Sequence, residues 1–107
     1  MLLFLMAISG CVSSVRPPDG DHKRVLFILT GEHRTVCLSG DFNAWSSSSH
    51  CLKREGTVWR IEVSLPPGQY RYGFVLDGRA WTSDPKALLQ EEDGFGKQNS
   101  VLFVDGL

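Results

Sequence analysis

The sequence predicts an all-β fold, a β-sandwich of about seven short antiparallel strands. Three observations carry that prediction. Trp59, Ile61, Val63 and Leu65 alternate strictly with Arg60, Glu62 and Ser64, the two-residue period of a strand with one face in the core and one in water. Turn signals at Gly31, Glu55-Gly56, Pro66-Pro67-Gly68 and Asp77-Gly78 punctuate the chain at roughly the 8 to 12 residue spacing of a sandwich. No stretch shows the 3.6-residue period of a helix.

The elements follow in order. Arg24 to Thr30 (RVLFILT) is a continuous apolar run too short for a helix, which fits a buried strand. Thr35 to Ser39 places Val36 and Leu38 on one face and Cys37 on the other, and Gly40-Asp41-Phe42-Asn43 then breaks the pattern. A short Cys51-Leu52-Lys53 strand leads into the alternating Trp59 to Leu65 strand, whose Trp59 is assigned to the core. In Tyr70 to Leu76, Tyr70, Tyr72, Phe74 and Leu76 share a face opposite Arg71, Gly73 and Val75. Ser100 to Val104 closes the fold.

Composition bounds the function. The 107 residues carry 12 acidic and 11 basic side chains, a net charge of -1, so one domain is expected, without the basic field a nucleic-acid partner requires. A domain this small has little room for a deep catalytic pocket. Residues 1–10 (MLLFLMAISG) are too short to span a bilayer, and Ile8-Ser9-Gly10-Cys11 resembles a bacterial lipobox, in which Cys11 is acylated after cleavage of residues 1–10. No Lys or Arg precedes Cys11, and an N-terminal hydrophobic strand or a disordered leader is the competing reading. Residues 11–23 then read as the lipidated cysteine and a tether, and 24–107 as the domain, exported and held on a membrane. Cys37 and Cys51 would remain in a disulfide-permissive compartment, either bridged or as two separate small hydrophobes.

Several motifs, in this order along the chain, carry a family resemblance. They are Val36-Cys37-Leu38-Ser39-Gly40-Asp41-Phe42-Asn43-Ala44-Trp45, Leu65-Pro66-Pro67-Gly68, Tyr72-Gly73-Phe74-Val75-Leu76-Asp77-Gly78, Trp81-Thr82-Ser83-Asp84-Pro85 and Asn99-Ser100-Val101. The chain resembles carbohydrate-binding module family 48 over residues 24 to 104, the glycogen-binding domains of the AMP-activated protein kinase β subunit and of branching and debranching enzymes. The resemblance implies an immunoglobulin-like early-set sandwich and a non-catalytic role in binding α-1,4-glucan. It also implies sugar contacts at Trp45 and Trp81, a sugar-binding amide at Asn99, and Phe95 where the family has a leucine that reaches through the glucan. A pyranose presents a flat face of C–H groups that packs on an indole, while its hydroxyls seek amide or charged partners. A family lysine is replaced by Gly73, so Arg71 is the expected compensating cation and Gly73→Lys is expected to strengthen binding. A protein-interaction or self-association module that keeps the fold without sugar affinity is the alternative.

Other chemistry finds no residues. A glycosidase needs two carboxylates flanking a cleft, whereas Asp41, Asp77, Asp84 and Glu91-Glu92-Asp93 are expected at turns. His22, His33 and His50 lack metal-ligand spacing, and Gly94-Phe95-Gly96-Lys97 lacks the spacing of a phosphate loop. No metal, cofactor or catalytic residue is assigned.

Overall fold

Alternation decides which face of each strand meets the core, and the structure follows it through both sheets. The computed structural model describes residues 22–105. The leader at residues 1–10, Cys11 and nearly all of the tether lie outside the described residues. Among those described, eight strands form: β1 (Lys23–Thr30), β2 (Val36–Gly40), β3 (Lys53–Glu55), β4 (Val58–Leu65), β5 (Gly68–Leu76), β6 (Ala80–Thr82), β7 (Leu89–Glu92) and β8 (Gln98–Val104). One sheet has the order β1-β4-β3 and the other β2-β5-β8-β7, with β6 added to β5. Every pairing is antiparallel.

The core lies between the sheets. Phe27, Leu29, Trp59 and Leu65 from the smaller sheet meet Val36, Leu38, Tyr72 and Phe74 from the larger, with Leu52 beside them. Phe27 and Tyr72 cross at 5.0 Å between ring centroids in an edge-to-face arrangement, which ties the two sheets through the favoured geometry of aromatic pairs. Trp59 is in the core as expected and donates its Nε1–H to Gly31 O at 3.1 Å. The Tyr72 hydroxyl donates to Asp84 Oδ2 at 2.6 Å; burial pushes the phenol pKa up, and the hydrogen bond to Asp84 adds to that shift.

Three local readings change. β1 is an edge strand with Leu26 exposed, because a three-stranded sheet has one wet face and a free border. Asp84 is buried, donating its N–H to Ser100 Oγ and accepting from Lys86 N and Tyr72, so its carboxylate is structural rather than solvated at a turn. Glu91 and Glu92 belong to β7, an edge strand, rather than to a turn.

Cys37 and Cys51 are joined by a disulfide. They face each other as an isolated antiparallel bridge, flanked by hydrogen bonds from Leu38 N to His50 O and from Leu52 N to Val36 O. Bonds that flank a pair leave it in the closer, non-hydrogen-bonded register, where two side chains meet directly. Closing a loop of this length contributes about 3 kcal/mol in the chain-entropy model.

Candidate functional site

The outward face of the larger sheet has a dry centre. Gly73 and Val75 point away from the core on β5, yet both are buried. Trp81 covers them. The Asp77-Gly78 turn, with φ of +53° and +78°, folds β6 back on β5 and sets Trp81 opposite Val75. The indole then lies over Gly73, where an added Cβ would overlap Cζ2 and come to 2.7 Å from Cε2 and Cη2. Its Nε1–H donates to Gln98 O at 2.9 Å, which fixes the ring against β8. Only a residue without a side chain admits the ring this close to the strand.

Trp45 reaches the same face from the β2–β3 connection. After a single 3-10 turn at Asp41–Asn43, Ala44 and Trp45 both take the left-handed conformation, with φ of +56° and +60°. Non-glycine residues pay about 1–3 kcal/mol each for such a backbone, so the surroundings must hold it. Asn43 does much of this. Its Oδ1 accepts from Gly40 N at 3.0 Å, and its Nδ2 donates to Leu38 O at 2.9 Å and to His50 Nδ1 at 3.1 Å. Trp45 N donates to Gly40 O, and Asp41 Oδ2 accepts from Arg71 N at 2.8 Å, binding the turn to β5. The result is a pair of indoles 6.0 Å apart between centroids and tilted by 38°, with Trp45 41% exposed.

Polar groups surround the pair. Asn99 is the second residue of β8 rather than a residue before the strand, and it faces Glu91 of β7. Carrying the register of Tyr72 opposite Ser100 one residue further places Asn99 beside Gly73. Among the described residues, no side-chain hydrogen bond satisfies the Asn99 amide. Lys97 extends its ammonium over the Trp81 ring at 4.5 Å from the centroid, a cation–π contact that sequence reasoning missed. Its signal was available, since Lys97 immediately precedes Gln98, but it required the hairpin register. Asn43 was likewise legible as a motif residue and not as the holder of the Trp45 turn.

Arg71 is engaged elsewhere, with Nε donating to Glu91 Oε1 at 2.7 Å. The pair holds the guanidinium more firmly protonated than usual. Phe95 stands at the tip of the β7–β8 hairpin, 91% exposed between left-handed Gly94 and Gly96. Asp93 Oδ1 accepts from Phe95 N at 2.7 Å and from Lys97 N at 3.1 Å, and these bonds, that of Phe95 foremost, hold its carboxyl below the usual range. Thus Trp81 meets Trp45 and Lys97 on one face, Asn99 lies beside the Gly73 that Trp81 covers, and Phe95 projects from the loop that carries Lys97. The expectation for Gly73→Lys is overturned, because the position needed for a side chain is occupied by the Trp81 ring.

Most of the carboxylates weighed above hold structural partners. Asp77 Oδ1 accepts from Arg34 N at 2.6 Å and Thr35 N at 3.1 Å, while Asp41, Asp84, Glu91 and Asp93 hold the partners given above. Among the described residues, no three of His, Cys, Asp and Glu gather as metal ligands, and no helix is long and apolar enough to cross a membrane. A cleft of about 290 Å³ opens between β1 and residues 86–89, and neither Trp45 nor Trp81 lines it.

The outward face of the larger sheet thus offers two adjacent indoles, an amide without a side-chain partner and an ammonium, groups on which a flat apolar ring face can pack and hydroxyls can bond. The chain belongs to the family described as the glycogen recognition site of AMP-activated protein kinase, whose model matches residues 23–106. It is 40% identical over 79 residues to the pig 5'-AMP-activated protein kinase subunit beta-1, a match covering 74% of this chain and 62% of that sequence. It is also 32% identical over 69 residues to Protein PTST homolog 2, chloroplastic, of Arabidopsis thaliana, covering 64% of this chain and 12% of the relative. With rice Protein FLOURY ENDOSPERM 6, chloroplastic, identity is 28% over 82 residues, covering 77% and 15% respectively. The chain therefore spans only a small part of the plant relatives and under two thirds of the pig one.

Proposed function

We propose that this chain is a non-catalytic domain that binds α-1,4-glucan by stacking sugar rings on Trp45 and Trp81. The observation that carries the reading is the 6.0 Å pairing of the two indoles on one open face. In this reading Asn99 and Lys97 donate to sugar hydroxyls, and Phe95 closes on the ligand from the hairpin tip. Arg71 contributes through the pair it makes with Glu91 on the same sheet face. Retardation in a native gel containing glycogen tests the proposal, and migration unaltered by glycogen would refute it.

A second reading, a protein-contact surface, is favoured by one observation: Leu26, Leu88, Leu89 and Phe103 are exposed apolar side chains around the β1 cleft. That surface excludes Trp45 and Trp81, so the two activities are separable by mutation. A lipid anchor at Cys11, giving an exported, membrane-held protein, rests on Ile8-Ser9-Gly10-Cys11 alone. The relatives named above are plant and animal proteins. Equal labelling of wild type and Cys11→Ala by a fatty-acid analogue would remove the anchor.

A further inference from the structure

We propose that the Cys37–Cys51 disulfide is a thiol–disulfide exchange site through which an external dithiol releases Trp45 and weakens glucan binding. Its consequence rests on the glucan reading above; its mechanism rests on the geometry of the loop.

Residues 38–50 leave and return at the 37–51 crosslink, with Trp45 near the middle of the excursion. The outgoing half is well held, since Asn43 bonds Gly40 and Leu38 and Asp41 bonds β5. The returning half is held more locally: Ser48 N and Ser49 N donate to Ser46 Oγ, His50 meets Asn43 and the Phe42 ring, and Leu52 packs in the core. Residues 50–52 touch β2 through an isolated bridge and two backbone hydrogen bonds, and the strand that follows, β3, belongs to the other sheet. The disulfide is therefore the covalent tie between the returning half and the sugar-facing sheet. Left-handed Ala44 and Trp45 sit between the two halves, in a conformation that relaxes once its restraints weaken. Cys37 also shares a cross-strand row with Val75 and Trp81, so the crosslink adjoins the strand that Trp81 covers.

Access favours one sulfur. Cys51 is exposed and Cys37 is buried. A thiolate of the dithiol attacks Cys51 Sγ, forming a mixed disulfide and expelling the Cys37 thiolate, which takes up a proton. The second thiol of the reductant then attacks the mixed disulfide and expels the Cys51 thiolate, which is protonated in turn. The protein gains two electrons and two protons, and the dithiol leaves as its own disulfide.

The test compares the full chain as oxidised and after dithiothreitol treatment, with free thiols counted by alkylation and mass spectrometry. Three readouts are taken: titration with maltoheptaose, far-UV circular dichroism for the strands, and the exciton couplet that two indoles 6.0 Å apart produce. If the reduced loop is competent about a tenth of the time, affinity falls about tenfold, with a diminished couplet and an unchanged strand signal. A Cys37→Ser, Cys51→Ser double variant should bind like the reduced chain and ignore the dithiol. Two newly freed thiols, at Cys37 and Cys51, with unchanged couplet and affinity would overturn the exchange site and leave the glucan reading standing. Loss of the strand signal on reduction would also overturn it, making the disulfide a support of the whole fold. Failure of the oxidised chain to bind maltoheptaose would instead remove the glucan reading and this proposal with it.

Discussion

Trp81 serves two ends with one side chain in the glucan reading: it roofs Gly73 and Val75, and it is proposed as a stacking plane. Trp81→Ala should therefore abolish measurable binding of maltoheptaose and also destabilise the domain by about 1–3 kcal/mol, the range for uncovering an aromatic's apolar area. Trp45→Ala should abolish binding with a smaller fall in melting temperature, since Trp45 roofs no glycine. Calorimetric titration beside thermal melts separates the two effects. Gly73→Lys should weaken binding, because the new Cβ displaces the indole before the ammonium can be of use. Trp45 and Trp81 were legible as motif residues, whereas the reason for Gly73 was not. A glycine in a strand reads as a missing side chain until the ring that occupies its place is seen.

Two elements hold the site, a strained turn and a hairpin, and each makes a prediction. Asn43→Ala removes the acceptor for Gly40 N and the donor to Leu38 O and His50, so Trp45 loses its left-handed backbone support. The cost should be about 1–3 kcal/mol in melts, with weaker maltoheptaose binding by titration. In the hairpin, Asp93 has a folded pKa below its ordinary 3.8, so its contribution is complete above that value. It is lost as pH falls through the lower folded pKa. The amide proton shifts of Phe95 and Lys97 should accordingly titrate together with a midpoint below 3.8, and Asp93→Asn should remove that transition. Strands β2, β4 and β5 were legible because five or more residues establish a two-residue period, and β1 because its apolar run is too short for a helix. β6 and β7 were not. Three or four residues are too few for a period to show, and the Glu91-Glu92 pair imitates a loop until Arg71 and the edge of the sheet account for it.

On the scale of the molecule, one thin core between a three-stranded and a five-stranded sheet carries the fold. Phe74, fully buried at its centre, should cost about 3–5 kcal/mol as Phe74→Ala, out of a total of about 5–15 kcal/mol for such domains. Urea titration should show a lower midpoint with an unchanged slope. The sandwich architecture was legible because it needs only alternation and turns, while the meeting of residues 45, 81, 97 and 99 depends on loop backbone that no periodicity encodes. One consequence of the site's form remains. The indoles lie on an open face away from the cleft beside β1, so in the glucan reading nothing in their arrangement demands a reducing or non-reducing terminus. Any internal stretch of a polymer then offers an equivalent frame, and a chain of many glucose units presents many overlapping frames to each domain. Apparent affinity per mole of polymer should rise with chain length through this statistical multiplicity, while affinity per glucose unit levels off once the face is spanned.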